Sequence, residues 1–341
     1  MKTISFARKT LAGALAIGSA ILLAGCDLPP QESEQSGYRG TGMDQIRSPE
    51  RVDVLQALNV VPEPQPEAPK DGPPVSQIYQ NVKVLGHLSE GEFLRIMTAI
   101  TEWVMPEQGC GGCHSDNLAD DSMYTKVVAR RMLQMTQDIN AKWTNHVAPS
   151  GVTCYTCHRG LQVPQYVWFN DPGPTTPAYM GNRNGQNYPA AAVAYSTLPS
   201  DPFSTLLNNP NQIRVQNAVA LPTDLKAPGK PIQDTETTYA LMMHMSKGLG
   251  VNCTFCHNSR AFSSWEQSPP QRSTAWYGLR MVSDLNHSYL DPLKPVYPEN
   301  RLGPTGDAPK ANCATCHQGV NKPLYGVSML KDYLTELSAK K

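Results

Sequence analysis

Four times in 341 residues the chain repeats Cys-x-x-Cys-His. The copies are CGGCH (Cys110, Cys113, His114), CYTCH (Cys154, Cys157, His158), CTFCH (Cys253, Cys256, His257) and CATCH (Cys313, Cys316, His317). Together they use eight of the nine cysteines, and no other feature so narrows what the chain can fold into. Disulfides, zinc sites and redox dithiols all use paired cysteines, but none requires a histidine after each pair. Covalent haem does. Two thiols one helical turn apart meet the two vinyl groups, and the adjacent imidazole lies under the iron as its proximal ligand. The expectation is four haem c groups, one per motif.

Composition agrees with that reading. Only 7% of residues are aromatic while 30 are proline, which suits a loop-rich chain that fills its interior with flat apolar cofactors. A formal net charge of zero offers no footprint for nucleic acid.

The N-terminus reads as an export signal over residues 1–25. Lys2, Arg8 and Lys9 precede the run LAGALAIGSAILLAG, which is shorter than the roughly 20 apolar residues of a spanning helix. Leu23-Ala24-Gly25-Cys26 looks like a lipobox, so diacylation of Cys26 would anchor the chain to membrane lipid. Residues 26–75, rich in Pro, Gln, Glu and Ser, read as an extended tether. Two haem-pair halves are expected at 76–165 and 236–325. A loop-rich connector fills 166–235 and a C-terminal tail 326–341. The expected fold is mainly α with long irregular loops, a multihaem cytochrome c built from two duplicated halves. Each repeat is a helix, a turn and the attachment motif.

The segments ahead of the motifs carry the duplication. EFLRIMTAITEWV, VVARRMLQMTQDIN, YALMMHMSKGLGV and TAWYGLRMVSDLN align in one register. One position holds Met97, Met132, Met242 and Gly278. Three residues on stand Ile100, Met135, Met245 and Met281, and seven on stand Val104, Ile139, Leu249 and Leu285. This i, i+3, i+7 stripe makes one apolar face of a helix, four times over. Either methionine position could supply the sixth iron ligand. His244 lies about 200° around the helix from Met242, so the two cannot serve one haem. A rival reading makes every iron bis-histidine, using His87, His146, His244 and His287.

The paired motifs, upstream methionine helices, lipobox and Pro-rich tether resemble the tetrahaem cytochrome c subunit of purple-bacterial photosynthetic reaction centres. The likeness covers about residues 75 to 330, and LMM…S…LGVNCTFCHN carries it most specifically. The resemblance implies three Met/His haems and one His/His haem. Carried over, it pairs Met97 with His114, Met132 with His158, Met242 with His257, and His146 with His317. It also implies that the chain is an electron-transfer subunit and not an enzyme. It would lie on the periplasmic face of the inner membrane, bound to the membrane subunits that carry the bacteriochlorophyll pair. A soluble cytochrome c or high-potential iron–sulfur protein would be its donor. The haem on Cys253 and Cys256 would sit nearest the pigment. Arg260, Arg272 and Arg280 are candidates for raising haem potentials. The alternative is a membrane-anchored tetrahaem carrier or reductase subunit serving another respiratory complex.

Overall fold

A computed structural model of the chain describes residues 30–172, 185–188, 190–208 and 231–338. The expected signal peptide and Cys26 lie outside the described residues, as does much of the connector.

The segment read as an extended tether is folded from Glu32 on. It forms an antiparallel hairpin of β1 (Glu32–Ser36) and β2 (Met43–Arg47), then helix α1 (Pro49–Leu58). Ser48 caps α1 by accepting from the Arg51 amide, and Pro49 occupies the first turn, where its missing N–H costs nothing. The proline-rich residues 60–70 run without secondary structure.

Each segment read as a haem-facing helix is helical: α2 (Glu90–Val104), α3 (Tyr124–Lys142), α6 (Pro231–Leu249) and α7 (Gln271–Leu285). A reciprocal Ser89–Glu92 capping box starts α2, and Met105-Pro106 ends it. Gly250, at φ +63°, ends α6 with a left-handed turn that glycine adopts without strain. Two short helices, α4 (Thr144–Val147) and α5 (Cys154–His158), lie between α3 and α6, and two more, α8 (Cys313–His317) and α9 (Leu334–Leu337), follow α7. The described part of the connector is irregular apart from one short turn at Ala191–Val193 and the start of α6. Among the described residues the fold is thus mainly helical, with a single two-stranded sheet.

Two apolar clusters organise the packing. One joins Leu85, Ile96, Trp103 and Leu133 to Met329 and Tyr333 of the C-terminal segment. The other joins Ile139, Leu241, Leu279 and Leu285 to Trp168 and Phe203. Helix α2 lies against α5, α6 against α8, and α5 against α8. The second and fourth motifs therefore meet at the middle of the molecule.

Candidate functional site

Distance from the preceding helix decides how each motif folds. Motifs one and three follow α2 and α6 closely and are single 3₁₀ turns, Gly109–Gly112 and Cys253–Phe255. Motifs two and four stand farther along the chain and form α5 and α8. The Thr153 amide donates to Thr156 Oγ1 at the start of α5 (3.0 Å), and the Asn312 amide to Thr315 Oγ1 at the start of α8 (2.9 Å). Arg159 and Gln318 then turn left-handed at φ 49° and 48°. Gly160 N donates to Trp103 O at 2.8 Å, and Gly319 N to Gly248 O at 2.7 Å. Trp103 and Gly248 are equivalent positions of α2 and α6.

The motif imidazoles are set for metal. His158 Nδ1 donates to Leu161 O (2.8 Å), His257 Nδ1 to Phe262 O (2.9 Å) and His317 Nδ1 to Val320 O (3.0 Å). A carbonyl only accepts, so Nδ1 carries the proton and Nε2 keeps the lone pair that a metal needs. Burial is the largest cause holding all three below the ordinary imidazole range, His317 down to about 4, so they stay neutral. His114 differs. Its buried Nδ1 makes no hydrogen bond, and the Leu118 carbonyl beside it accepts Lys126 Nζ instead at 2.7 Å.

His146 and His317 come together from different halves of the chain. Their ring centroids stand 6.0 Å apart with planes at 64°. Two metal–nitrogen bonds of about 2 Å, plus about 1 Å from each nitrogen to its ring centre, span about the same distance. His146 Nδ1 donates to Thr274 O at 2.9 Å, which leaves its Nε2 free for metal as well. The ring occupies the crease left by Gly278, where a Cβ would meet His146 Cε1 at 2.5 Å. Of the other spare histidines, His244 is buried with Nδ1 on Ala192 O and its ring edge-on to Phe203, which turns it toward the connector. His87 bonds Thr335 O, and His287 is exposed. Among the described residues only His146 stands against a motif imidazole, which removes the support for an all-bis-histidine chain.

A cavity of about 1060 Å³ runs through this region, at the upper end of the ~300–1,000 Å³ usual for small-molecule sites. Cysteines of all four motifs touch it: Cys113, Cys154, Cys157, Cys256, Cys313 and Cys316. So does the whole second row of the stripe (Ile100, Met135, Met245, Met281) and the whole third (Val104, Ile139, Leu249, Leu285). From the first row Met132 and Gly278 line it, while Met97 and Met242 do not. The fit to haem is good: an apolar slot, imidazoles with free lone pairs, and thiols at its wall.

At one point the expected attachment chemistry meets a competitor. Cys157 and Cys316 form a disulfide where α5 meets α8, with Cα atoms 4.3 Å apart. A sulfur has one bond to give, so at these two atoms a disulfide and a thioether exclude each other. The other six motif cysteines are free thiols. Burial raises Cys154 and Cys256 to about 11 and Cys313 to about 12.

The N-terminal segment runs along the backs of the motifs, which the sequence reading missed. Thr254, inside motif three, accepts from Met43 N (2.8 Å) and donates to Ser36 O (2.9 Å). Gly37, at φ +84°, passes so close that a Cβ would sit 2.3 Å from Thr254 O. Leu55 then packs on Gly319 behind motif four. Arg159 of motif two donates to Leu58 O, and Tyr155 to Val60 O. Farther on, Arg95 of α2 donates to Gln65 O. The strap thus meets motifs three, four and two in that order, and then α2, the helix that leads into motif one.

Of the candidate tuning arginines, Arg272 stacks on Trp265 and donates to Phe262 O, the acceptor of His257. Arg280 stacks on Trp276.

Comparison with known proteins gives one consistent answer. Residues 27–337 match the family model of the photosynthetic reaction centre cytochrome C subunit. The chain is 52% identical over 320 residues to the photosynthetic reaction center cytochrome c subunit of Rubrivivax gelatinosus, covering 94% of this chain and 87% of that one. It is 48% identical to the subunit of Thermochromatium tepidum (94% and 78% covered) and 41% identical to that of Roseobacter denitrificans (94% and 90%).

Proposed function

Because the chain belongs to the photosynthetic reaction centre cytochrome c subunit family, we propose that it passes electrons through four covalent haems from a soluble donor to the photo-oxidised bacteriochlorophyll pair. Its relatives are electron-transfer subunits and not enzymes, and the chain is a haem-bearing subunit of photosynthetic electron transport. The observation that carries the four-haem reading is that cysteines of all four motifs touch one mostly apolar cavity. Bound haem supplies one-electron exchange, and contiguous sites keep each hop short. The chain's residues exclude water, fix each proximal imidazole through its Nδ1 bond, and supply the second axial ligand.

For that ligand the family resemblance assigns Met97, Met132 and Met242, with His146 opposite His317, a pair whose ring centroids stand 6.0 Å apart. Met132 and Gly278 line the central cavity, whereas Met97 and Met242 do not. Met/His ligation raises the potential relative to bis-histidine. Met242→Leu is expected to change the spectrum of one haem, and Met245→Leu to leave ligation intact. The reverse result would move the register by one turn. The matched bonds at Gly160 and Gly319 support the duplicated halves.

The strap supports an electron path of motif one, two, four, three. Its hairpin begins six residues after Cys26, a reach of about 20 Å, and sits on motif three. Diacylated Cys26 would then hold motif three toward the membrane on the periplasmic side. No described helix is long and apolar enough to cross a membrane.

Flash excitation of membranes tests the function. Haem absorbance should bleach as the oxidised pigment recovers, and pigment recovery with unresponsive haems would refute the reading.

A further inference from the structure

We propose that Arg301 binds the propionate carboxylates of the haem on motif two; the assignment rests on the haem reading above. The argument begins with the direction of the cavity along α3. Cys154 neighbours Thr136, one turn beyond Met132 on that helix. Val128 and Tyr124, which also line the cavity, lie one and two turns before Met132. Tyr124 and Thr136 are about 18 Å apart at 1.5 Å per residue. A haem held by Cys154 and Cys157 at its vinyl edge would present its opposite, propionate edge to the Tyr124 end of the cavity.

That end of the cavity is where the chain places polar groups. Tyr297 lies edge-on to Tyr124 with ring centroids 6.2 Å apart, and Asn300 and Arg301 follow it along the cavity wall. Arg301 donates to Gln162 Oε1 at 2.7 Å. Gln162 stands four residues after His158, so this bond ties the guanidinium to the exit turn of motif two.

The charge of Arg301 is uncommitted. It is half-buried, its hydrogen-bond partner is neutral, and among the described residues it has no carboxylate within ion-pair distance. The other cations on the cavity wall are accounted for. Lys310 is buried against Asp307 and Asp291, and Lys322 is exposed. A half-buried guanidinium beside an apolar slot calls for an anion, and its planar fork suits a carboxylate. Arg301 comes from residues 286–312, a stretch much longer than its counterpart 143–153 in the first half. The second half therefore lends a cation to the first half's haem.

The test uses haem-loaded protein, with haem number counted first. Arg301→Leu should shift the propionate bending band of one haem in the resonance Raman spectrum. It should also lower the midpoint of one Met/His haem, because the propionate charge then stabilises ferric iron unopposed. Arg301→Lys should restore the midpoint but not the band, since an ammonium supplies charge without the fork. With haem number unchanged, a wild-type band and midpoint in Arg301→Leu overturn the assignment. Where Arg301→Leu loses haem, an unshifted band in Arg301→Lys overturns it instead. Unmodified protein lacking haem on Cys154 and Cys157 overturns both this assignment and the four-haem reading.

Discussion

Between His158 and Pro164 the chain reads HRGLQVP, and between His317 and Pro323 it reads HQGVNKP. Both stretches turn left-handed after the histidine, return a glycine amide to the long helix ahead of the previous motif (α2 or α6), and present a carbonyl three residues on to the imidazole. The outer motifs share none of this detail. Motif three is clipped by a hairpin through Thr254, while motif one is held by Thr125 donating to Gly112 O at 2.7 Å. The central pair is built to one plan and meets face to face. The outer pair sits in two different surroundings.

The largest test of the central pair is the state of its sulfurs. Peptide mapping of protein from membranes should find haem on all eight motif cysteines and no link between 154–158 and 313–317. A surviving Cys157–Cys316 bond would leave motifs two and four one thioether each, and the central sites would then be the weaker pair chemically.

Next in size is Gly278→Met. A Cβ alone meets the His146 ring at 2.5 Å, so the imidazole must leave or the helix must shift. Overpacking of this kind costs about 1–3 kcal/mol. One haem should lose its bis-histidine spectrum and rise in potential as methionine takes the vacated side. An unchanged spectrum would remove His146 from the ligand set.

Much of this was legible in the sequence. The four helices lie where the stripe put them, and every residue of its second and third rows faces one cavity. His146 came from the family resemblance, and Gly278, the empty place in an aligned column, agrees with it: a Cβ there would meet the His146 ring. The strap was not legible. ESEQSGYRG has no apolar alternation, and an isolated two-stranded hairpin is marginal in water. It folds because Thr254, over 200 positions away, completes it. The shared H-x-G-(Leu/Val)-(Gln/Asn)-x-Pro is present in the sequence, but it follows the motifs, outside the helical stripe that carries the repeat.

The two halves differ most in their bracing. Arg95 of α2 lies over the Tyr333 ring, donates to Asp332 O at 2.6 Å, and meets Glu336 at 3.3 Å, with both charged side chains under 10% exposed. The equivalent residue of α6 is Ala240. Arg95→Leu strands a buried carboxylate and should cost about 3–5 kcal/mol in a denaturation titration. A loss under about 1 kcal/mol would mean that the C-terminal segment braces nothing.

Thr254→Val asks whether motif three depends on the hairpin. It removes two hydrogen bonds, each worth about 0.5–1.5 kcal/mol. The hairpin should loosen enough for trypsin to cut after Arg39 or Arg47 several-fold faster, with haem content unchanged. Equal cutting rates would assign the clip to Gly37 and the backbone contacts.

The smallest effect separates the two central caps. Thr156→Val leaves the Thr153 amide buried without an acceptor, and Thr315→Val does the same to Asn312. Each should cost about 1–3 kcal/mol. Thr315 also donates to Tyr166 O at 2.9 Å, although that carbonyl keeps a second donor in Asn312 Nδ2. The extra cost at motif four is therefore one net hydrogen bond, about 1 kcal/mol. Equal losses would mean that the Tyr166 bond exchanges with water at no cost, making the two central sites alike in energy as well as in form.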